Sequence, residues 1–327
     1  MRHTLFVVVD TEEEFDWSAP FSRDNTSVRA AQHIGRLQGV LSRYGIRPTY
    51  VVDYPIASQP EGWGSLKEIA DSGEAAIGAH LHPWVNPPYV EEPCSRNSYG
   101  FRLGAALERE KISRLKLQIE QSFGTAPIVY KAGRYGFGPT TAEALEALDF
   151  AIDVSVNPRM DFTSDGGPTF EAFDARPRFF GHQRSLLEIP CSTDYVGICG
   201  PAAAGVHRAI SRDAFRPLRL VGIMAKLGVV NKIMLSPEGS RLEEMIALTR
   251  TLMHRGVRTF TLTLHSPSVE PGCTPYVRTR GDLEAFLDRI TAFCDFFFDE
   301  LGGVPGTPDT FLRSLAPAAA AVQGALS

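Results

Sequence analysis

The sequence predicts an α/β protein built as a parallel barrel, closed or nearly closed, and three observations predict it. Short apolar runs that read as buried strands alternate with amphipathic helical stretches along most of the chain, the pattern of a parallel sheet covered by helices. Seven such runs can be read, which suits a barrel. Three of them end directly on polar, chemically capable residues: Asp10-Thr11-Glu12 after Leu5–Val9, His80-Leu81-His82-Pro83-Trp84 after Ala75–Ala79, and His265 after Phe260–Leu264. Residues just past the C-termini of parallel strands collect at one face, where ligands and catalysts sit. An open doubly wound sheet is the alternative. No G-x-G-x-x-G comes after the first strand, so the dinucleotide-binding form of that fold has no support.

In chain order, Leu5–Val9 is the first strand. The stretch from 28 to 44 places Val28, Ala31, Ile34, Leu37 and Leu41 on one helical face, and Gly45 ends it as a C-cap. Thr49–Val52 is the second strand. Ser65-Leu66-Lys67-Glu68 has the form of a capping box opening a short helix that Gly73 ends, and Ala75–Ala79 is the third strand. A long helix from Ala105 to Phe123 turns Ile112, Leu115, Ile119 and Phe123 to one side. Ile128–Tyr130, Ala151–Ser155 and Leu186–Ile189 are further strands, with a Thr141–Leu148 helix between the first two. Ser240-Arg241-Leu242-Glu243 is a second capping box, opening a helix that stops near Gly256. After the last strand, Phe260–Leu264, a periodic helix from Asp282 to Leu301 closes the core with Leu283, Phe286, Leu287, Ile290, Phe293 and Phe297 inward.

Two segments break the alternation. Residues 161–183, rich in Gly, Pro, Phe and charge, read as a long irregular insertion, and 197–237, Gly/Ala/Arg-rich and weakly helical, as a cap over the site. Residues 1–314 thus read as one barrel domain and 315–327, which runs into Ala-Pro-Ala-Ala-Ala-Ala, as a flexible tail. No internal repeat is present.

Composition narrows the function classes. A hydrophobic content of 43% with 22% charged residues belongs to an ordinary folded chain, not a disordered one. A formal net charge of −5 gives no footprint for nucleic acid or an anionic membrane. No apolar run reaches the roughly 18–20 residues of a membrane span. Met1-Arg2-His3 leads straight into a strand, without the apolar core of a secretory signal. Five cysteines, odd in number and without paired metal-type spacing, read as reduced thiols. A cytoplasmic location is the resulting expectation, and oligomeric state is left open.

Histidines at i and i+2 on an extended segment send both imidazoles to one side, and Pro83 stiffens the adjoining turn. A carboxylate from Asp10 or Glu12 completes a two-His, one-carboxylate set with an open position for water. Read alone, the histidine pair is an ordinary surface or packed feature and the acid run a solvated loop. Their placement after two barrel strands turns both toward a metal site. Trp84, with Pro87, Pro88 and Tyr89, is a candidate sugar-stacking group, with a packed Pro-rich loop as the alternative. Asp153, at a strand end, is either a hydrogen-bonding group of the site or structural.

These segments resemble the polysaccharide deacetylases of the NodB-homology, carbohydrate-esterase type, across five ordered segments from Asp10 to His265. Within that group the runs D-T-E-E-E-F-D-W, H-L-H-P-W and A-G-R-Y-G are similar to a branch called WalW-like. The resemblance implies a distorted (β/α)7 barrel. It also implies that Asp10 is the general base, Glu12, His80 and His82 the metal ligands, and His265 the general acid. Leu264 would be an acetyl-pocket wall, and Lys131 or Arg134 of Lys131-Ala132-Gly133-Arg134-Tyr135-Gly136 the cation that orients the base, with Tyr135 and Trp84 beside the substrate. The histidine spacing is two, where the family's is usually four. Lys131 stands at the position of its usual Arg, and Leu187-Glu188-Ile189-Pro190 lacks its usual fourth-motif Asp/Trp signature.

The function implied is metal-dependent removal of an N-acetyl group from an amino sugar or glycan. Zn²⁺ is the expected ion, and Co²⁺, Ni²⁺, Mn²⁺ or Fe²⁺ suit the same ligands. Hydrolysis of a non-sugar C–N bond, as in ureides or cyclic amides, is a second reading. An inactive carbohydrate-binding or regulatory protein on the same scaffold is a third.

Overall fold

Alternation along the first strand decides the architecture. The structure, a computed structural model, describes residues 2–211 and 220–315. In β1 (Thr4–Thr11), Leu5, Val7 and Val9 join the large cluster that packs strands against helices. Phe6 and Val8 face the other way, into a second cluster with Val51, Val129, Ile152, Val154, Leu187 and Ile189. That second cluster is the barrel interior. Because strand side chains alternate faces, Asp10 and Glu12 continue the inward row of Phe6 and Val8 at its C-terminal end.

The seven strands read from the sequence are all present and all parallel: β10 (Thr259–His265), β1, β2 (Thr49–Val52), β3 (Ala76–Leu81), β4 (Val129–Ala132), β5 (Ile152–Asp153) and β7 (Leu186–Glu188), in that spatial order. No ladder joins β7 to β10 among the described residues. The gap is bridged by the chain after β7, where Thr261 N donates to Ser192 Oγ (2.9 Å) and Thr261 Oγ1 to Pro190 O (2.9 Å). Leu235 then donates to Ser192 O, and its own carbonyl accepts from Thr263 N. The barrel is therefore curled and imperfectly closed, as expected of a distorted (β/α)7 form. Phe311, Leu312 and Leu315 pack against the interior cluster, and the rings of Phe311 and Phe6 lie 5.5 Å apart. No helix among the described residues is long and apolar enough to cross a membrane.

Several expectations need correction. The 161–183 insertion is not wholly irregular: β6 (Arg178–Phe180) pairs antiparallel with β7. The 197–237 segment contains β9 (Asn231–Met234), which forms a hairpin with β8 (Thr193–Val196). Helices 203–210 and 220–226 pack on that hairpin over a small separate cluster of Tyr195, Ala203 and Val230. The helix assigned to a Ser65 cap starts earlier, at Pro60, because Pro at the first helical position is preorganised for it. The second box lies one residue later than read: Glu244 accepts from Arg241 N at 2.9 Å. Of the proposed tail, residues 316–327 lie outside the described residues, while Leu315 still belongs to a helix.

Candidate active site

Two pairs of adjacent strand ends supply the reactive groups. Asp10 and His265 are direct neighbours in the β1–β10 register, and His80 and Lys131 in the β3–β4 register. Lys131 reaches across the interior, placing Nζ 2.6 and 2.7 Å from the two Asp10 oxygens and 2.9 Å from Thr263 Oγ1. Burial alone would push the Asp10 carboxyl up. The Lys131 ammonium and the neighbouring imidazoles outweigh it and hold Asp10 below the ordinary carboxylate range. Asp10 is thus a buried, ionised carboxylate.

His80 and His82 flank Glu12. His80 Nδ1 lies 3.1 Å from the Lys131 carbonyl and His82 Nδ1 2.7 Å from Glu13 Oε2. The Lys131 carbonyl only accepts, so His80 Nδ1 carries the proton; with Glu13 Oε2 accepting from His82 Nδ1 in the same way, both Nε2 lone pairs are free. Each Nε2 stands 3.4 Å from Glu12 Oε2, and the three ligand atoms fall within 4.8 Å of one another. Ligands held about 2.0–2.1 Å from a tetrahedral ion stand about 3.3–3.4 Å apart. The spacing is long for a hydrogen bond and right for a shared cation, so these residues fit the group. Burial would raise Glu12, but His265, His80 and His82 outweigh it and keep it ionised.

Glu13, which reads in the sequence only as part of an acid run, orients His82. It accepts from His82 and, at 2.9 Å, from Trp84 Nε1, while its own backbone N–H donates to Asp53 Oδ2 at 2.7 Å. Burial pushes Glu13 up to about 8 and Asp53 well above its usual value. Such outer partners of a ligating histidine are worth about 10–100-fold in metal affinity. Gly133 provides the space on the other side, since a Cβ there would come within 2.5 Å of His82 Cδ2. Gly133→Ala is accordingly expected to weaken Zn²⁺ binding by about 10–100-fold, measured by calorimetric titration. An unchanged affinity would show that the His82 ring is not held by this contact.

His265 is set by Glu238, a second residue that the sequence does not single out. Its Nδ1 is 2.7 Å from Glu238 Oε2, and its backbone N–H donates to Oε1 at 3.1 Å. Ser268 Oγ also donates to that carboxylate, at 2.5 Å. Burial works against the imidazolium, but Glu238, Glu12 and Asp10 outweigh it and raise His265 to about 10. Its Nε2 lies 3.7 Å from Asp10 Oδ2. Glu238 sits just past β9, so the partner of His265 comes from a strand pair that the sequence does not show.

Arg134 and Leu264 sit differently from expectation, while Trp84 and Asp153 take the structural one of their two readings. Arg134 lines the pocket but does not reach Asp10: its guanidinium pairs with Asp165, donates to Ser98 Oγ at 2.5 Å and lies over the Tyr99 ring. Trp84 is 1% exposed and bonded to Glu13, so no sugar can stack on it. Leu264 belongs to the strand–helix core, since alternation along β10 turns Thr263 and His265 inward and Leu264 away. The same alternation turns Asp153 away from the interior residues Ile152 and Val154, and its carboxylate accepts from Ser155 Oγ at 2.6 Å. Tyr135 does line the pocket, its hydroxyl against Met234 Sδ at 3.6 Å. Arg134 and Tyr135 both hold positive φ (53° and 58°), local strain of the kind found where a turn is fixed by function.

The pocket holds ≈ 210 Å³ and is walled by Phe15, Trp17 and Phe21 from the loop after β1. Among the described residues, the cap expected from 197–237 contributes none of its lining; its residues 212–219 lie outside the described residues.

No protein-family model and no curated protein matches the chain. Solved structures do. A GH57 branching enzyme from Thermococcus kodakaraensis aligns over 96% of this chain and 71% of its own, at 12% identity and a TM-score of 0.53. A family 4 carbohydrate esterase from Streptomyces lividans aligns over 93% and 92%, at 11% identity and 0.44. A peptidoglycan deacetylase from Bacillus subtilis aligns over 100% and 98%, at 11% and 0.45. Polysaccharide deacetylases thus stand among the structures this chain is similar to, and what is shared at these identities is the fold, the distorted α/β barrel described above.

Proposed function

We propose that the protein is a metal-dependent hydrolase that removes an N-acetyl group from an amino sugar or glycan. The observation that carries this reading is the convergence of two free Nε2 atoms and the Glu12 carboxylate beside an ionised Asp10 and a protonated His265. A divalent ion held by Glu12, His80 and His82, Zn²⁺ by default, supplies a Lewis acid for the amide carbonyl and an acidified water. Asp10, kept charged by Lys131, takes the proton of the attacking water on its carboxylate. His265, kept charged by Glu238, gives its Nε2 proton to the departing amine, which would otherwise leave as an amide anion. The aromatic wall of Phe15, Trp17 and Phe21 limits water around these groups.

The GH57 branching enzyme of similar fold raises glycoside chemistry as an alternative, but the carboxylates here do not suit it. A glycosidase needs one carboxylic acid with a raised pKa at the scissile bond. The carboxylates that line the pocket, Asp10 and Glu12, are both held below the ordinary range. The raised Glu13 is buried behind His82 and Trp84, outside the pocket lining. The acid is an imidazolium, which suits an amine leaving group.

Incubating Zn²⁺- or Co²⁺-loaded protein with a panel of N-acetylated sugars is expected to release acetate and a free amine in equal amounts. Chelation should stop the release and metal should restore it. Metal-loaded protein that releases acetate from none of the panel would contradict the reading.

A further inference from the structure

Exposed aliphatic side chains are ordinary when scattered and point to a partner when gathered. Three are gathered on the β8–β9 hairpin and its helices. Ile198, just past β8, is 84% exposed, and Leu227 and Ile223, at the end of the 220–226 helix, are 67% and 45% exposed. Leu227 N donates to Ile223 O at 3.0 Å, one helical turn back, and Ile198 N donates to Gly228 O at 3.1 Å. The three therefore adjoin. They do not fill the hairpin's own small core, against which Val206, Ile210 and Met224 already pack. Val90, Leu117 and Ile128, the other strongly exposed aliphatics among the described residues, lie on separate elements.

Charge follows the same division. Residues 195–234 carry six Lys and Arg against one Asp, a net +5 within a chain of net −5. The total charge gives no sign of an anionic partner because it hides this local excess. Arg208 and Lys226 are exposed, Arg208 reaching Glu171 at 3.4 Å. Aliphatic groups set among cations suit the headgroup layer of an anionic bilayer, where apolar side chains leave water and cations meet lipid phosphate. The β8–β9 register runs from Thr193–Met234 to Val196–Asn231, so Ile198 and Gly228 lie beyond its tip. Its base is at the pocket, where Met234 Sδ meets Tyr135.

We infer that the tip of this hairpin is a docking surface for an anionic lipid bilayer, with Ile198, Ile223 and Leu227 entering the headgroup layer under the attraction of the surrounding positive charge. The inference is independent of what the pocket hydrolyses, and its test does not require activity.

The probes are phosphatidylcholine vesicles with and without about one-third phosphatidylglycerol, floated with the full chain at about 0.1 M salt. The native protein should bind the anionic vesicles at least about 10-fold more tightly than the neutral ones. The double variant Ile198→Asp, Leu227→Asp should lower that binding by at least about 10-fold at an unchanged melting temperature. Leu117→Asp, the same change at an exposed aliphatic of the 105–123 helix, should bind as the native protein does. No binding to the anionic vesicles, equal binding to both kinds, a double variant that binds like the native protein, or an equal loss in Leu117→Asp would each overturn the inference. A native protein that ignores vesicles but self-associates on sedimentation, and is monomeric as the double variant, would give the patch to a second copy of the chain and overturn it as well.

Discussion

Asp10→Asn is expected to lower kcat by about 10³-fold, within the range of about 10²–10⁴ that general-base catalysis supplies, while metal binding by Glu12, His80 and His82 persists. The substitution has a second effect, because Lys131 is 1% exposed and would lose its partner. Stranding one member of a buried ion pair costs about 3–5 kcal/mol, so the single variant should melt well below the native protein. The double variant Asp10→Asn, Lys131→Met separates the two effects: it should regain much of the melting temperature and none of the activity. A single variant that retains native kcat would remove Asp10 from the chemistry. A double variant no more stable than the single would show that the ion pair is not what the lost stability reports.

His265→Ala carries a comparable expected loss, about 10²–10⁴-fold on an N-acetyl amide. The loss should be much smaller on an aryl acetate ester, whose leaving group departs without a proton. Equal losses on amide and ester would argue that His265 does something other than protonate the amine. The tuning by Glu238 is separable through pH. His265 is raised to about 10 in the folded protein, so the acid form is present at neutral pH and is lost only as pH climbs through that value. In Glu238→Gln the largest raising influence is gone, and the basic limb of the pH–rate profile should move down by a unit or more toward the ordinary imidazole range near 6.5. Asp10 is shifted the opposite way, so its requirement for ionisation is met above the usual carboxylate range and puts no acid limb near neutrality.

Much of this arrangement is legible in the sequence, and the division has physical causes. The uninterrupted apolar run Leu5–Val9 and the apolar-rich Phe260–Leu264 announce buried parallel strands, and residues just past such a strand end must lie at the ligand face. Asp10, Glu12, His80, His82 and His265 can be placed by that rule alone, and Lys131 by the family resemblance. Glu238 cannot, because Asn231–Met234 is a half-buried hairpin strand whose apolar signal is cut to Ile233 and Met234 by Asn231 and Lys232. Glu13 is legible only as charge. Its role depends on which way the chain turns after β1, toward Asp53 and the back of His82. Trp84 and Trp17 mislead in opposite directions for one reason: an aromatic's exposure is a tertiary property. Trp84 reads as available and is held inside by Glu13, whereas Trp17, unremarkable in the sequence, stands at the mouth of the pocket. Lys131 and Arg134 both read as partners of the base. Strand register places Lys131 inside the barrel, and the turn at Gly133 carries Arg134 to the rim.

The central claim is that Glu12, His80 and His82 hold a catalytic ion, and metal content tests it most directly. The native protein, purified and compared with a His80→Ala, His82→Ala double variant after incubation with Zn²⁺ or Co²⁺, should carry about one ion per chain, and the variant none. No ion in the native protein, or an ion retained equally by the variant, would contradict the metal centre and with it the hydrolytic mechanism built on it.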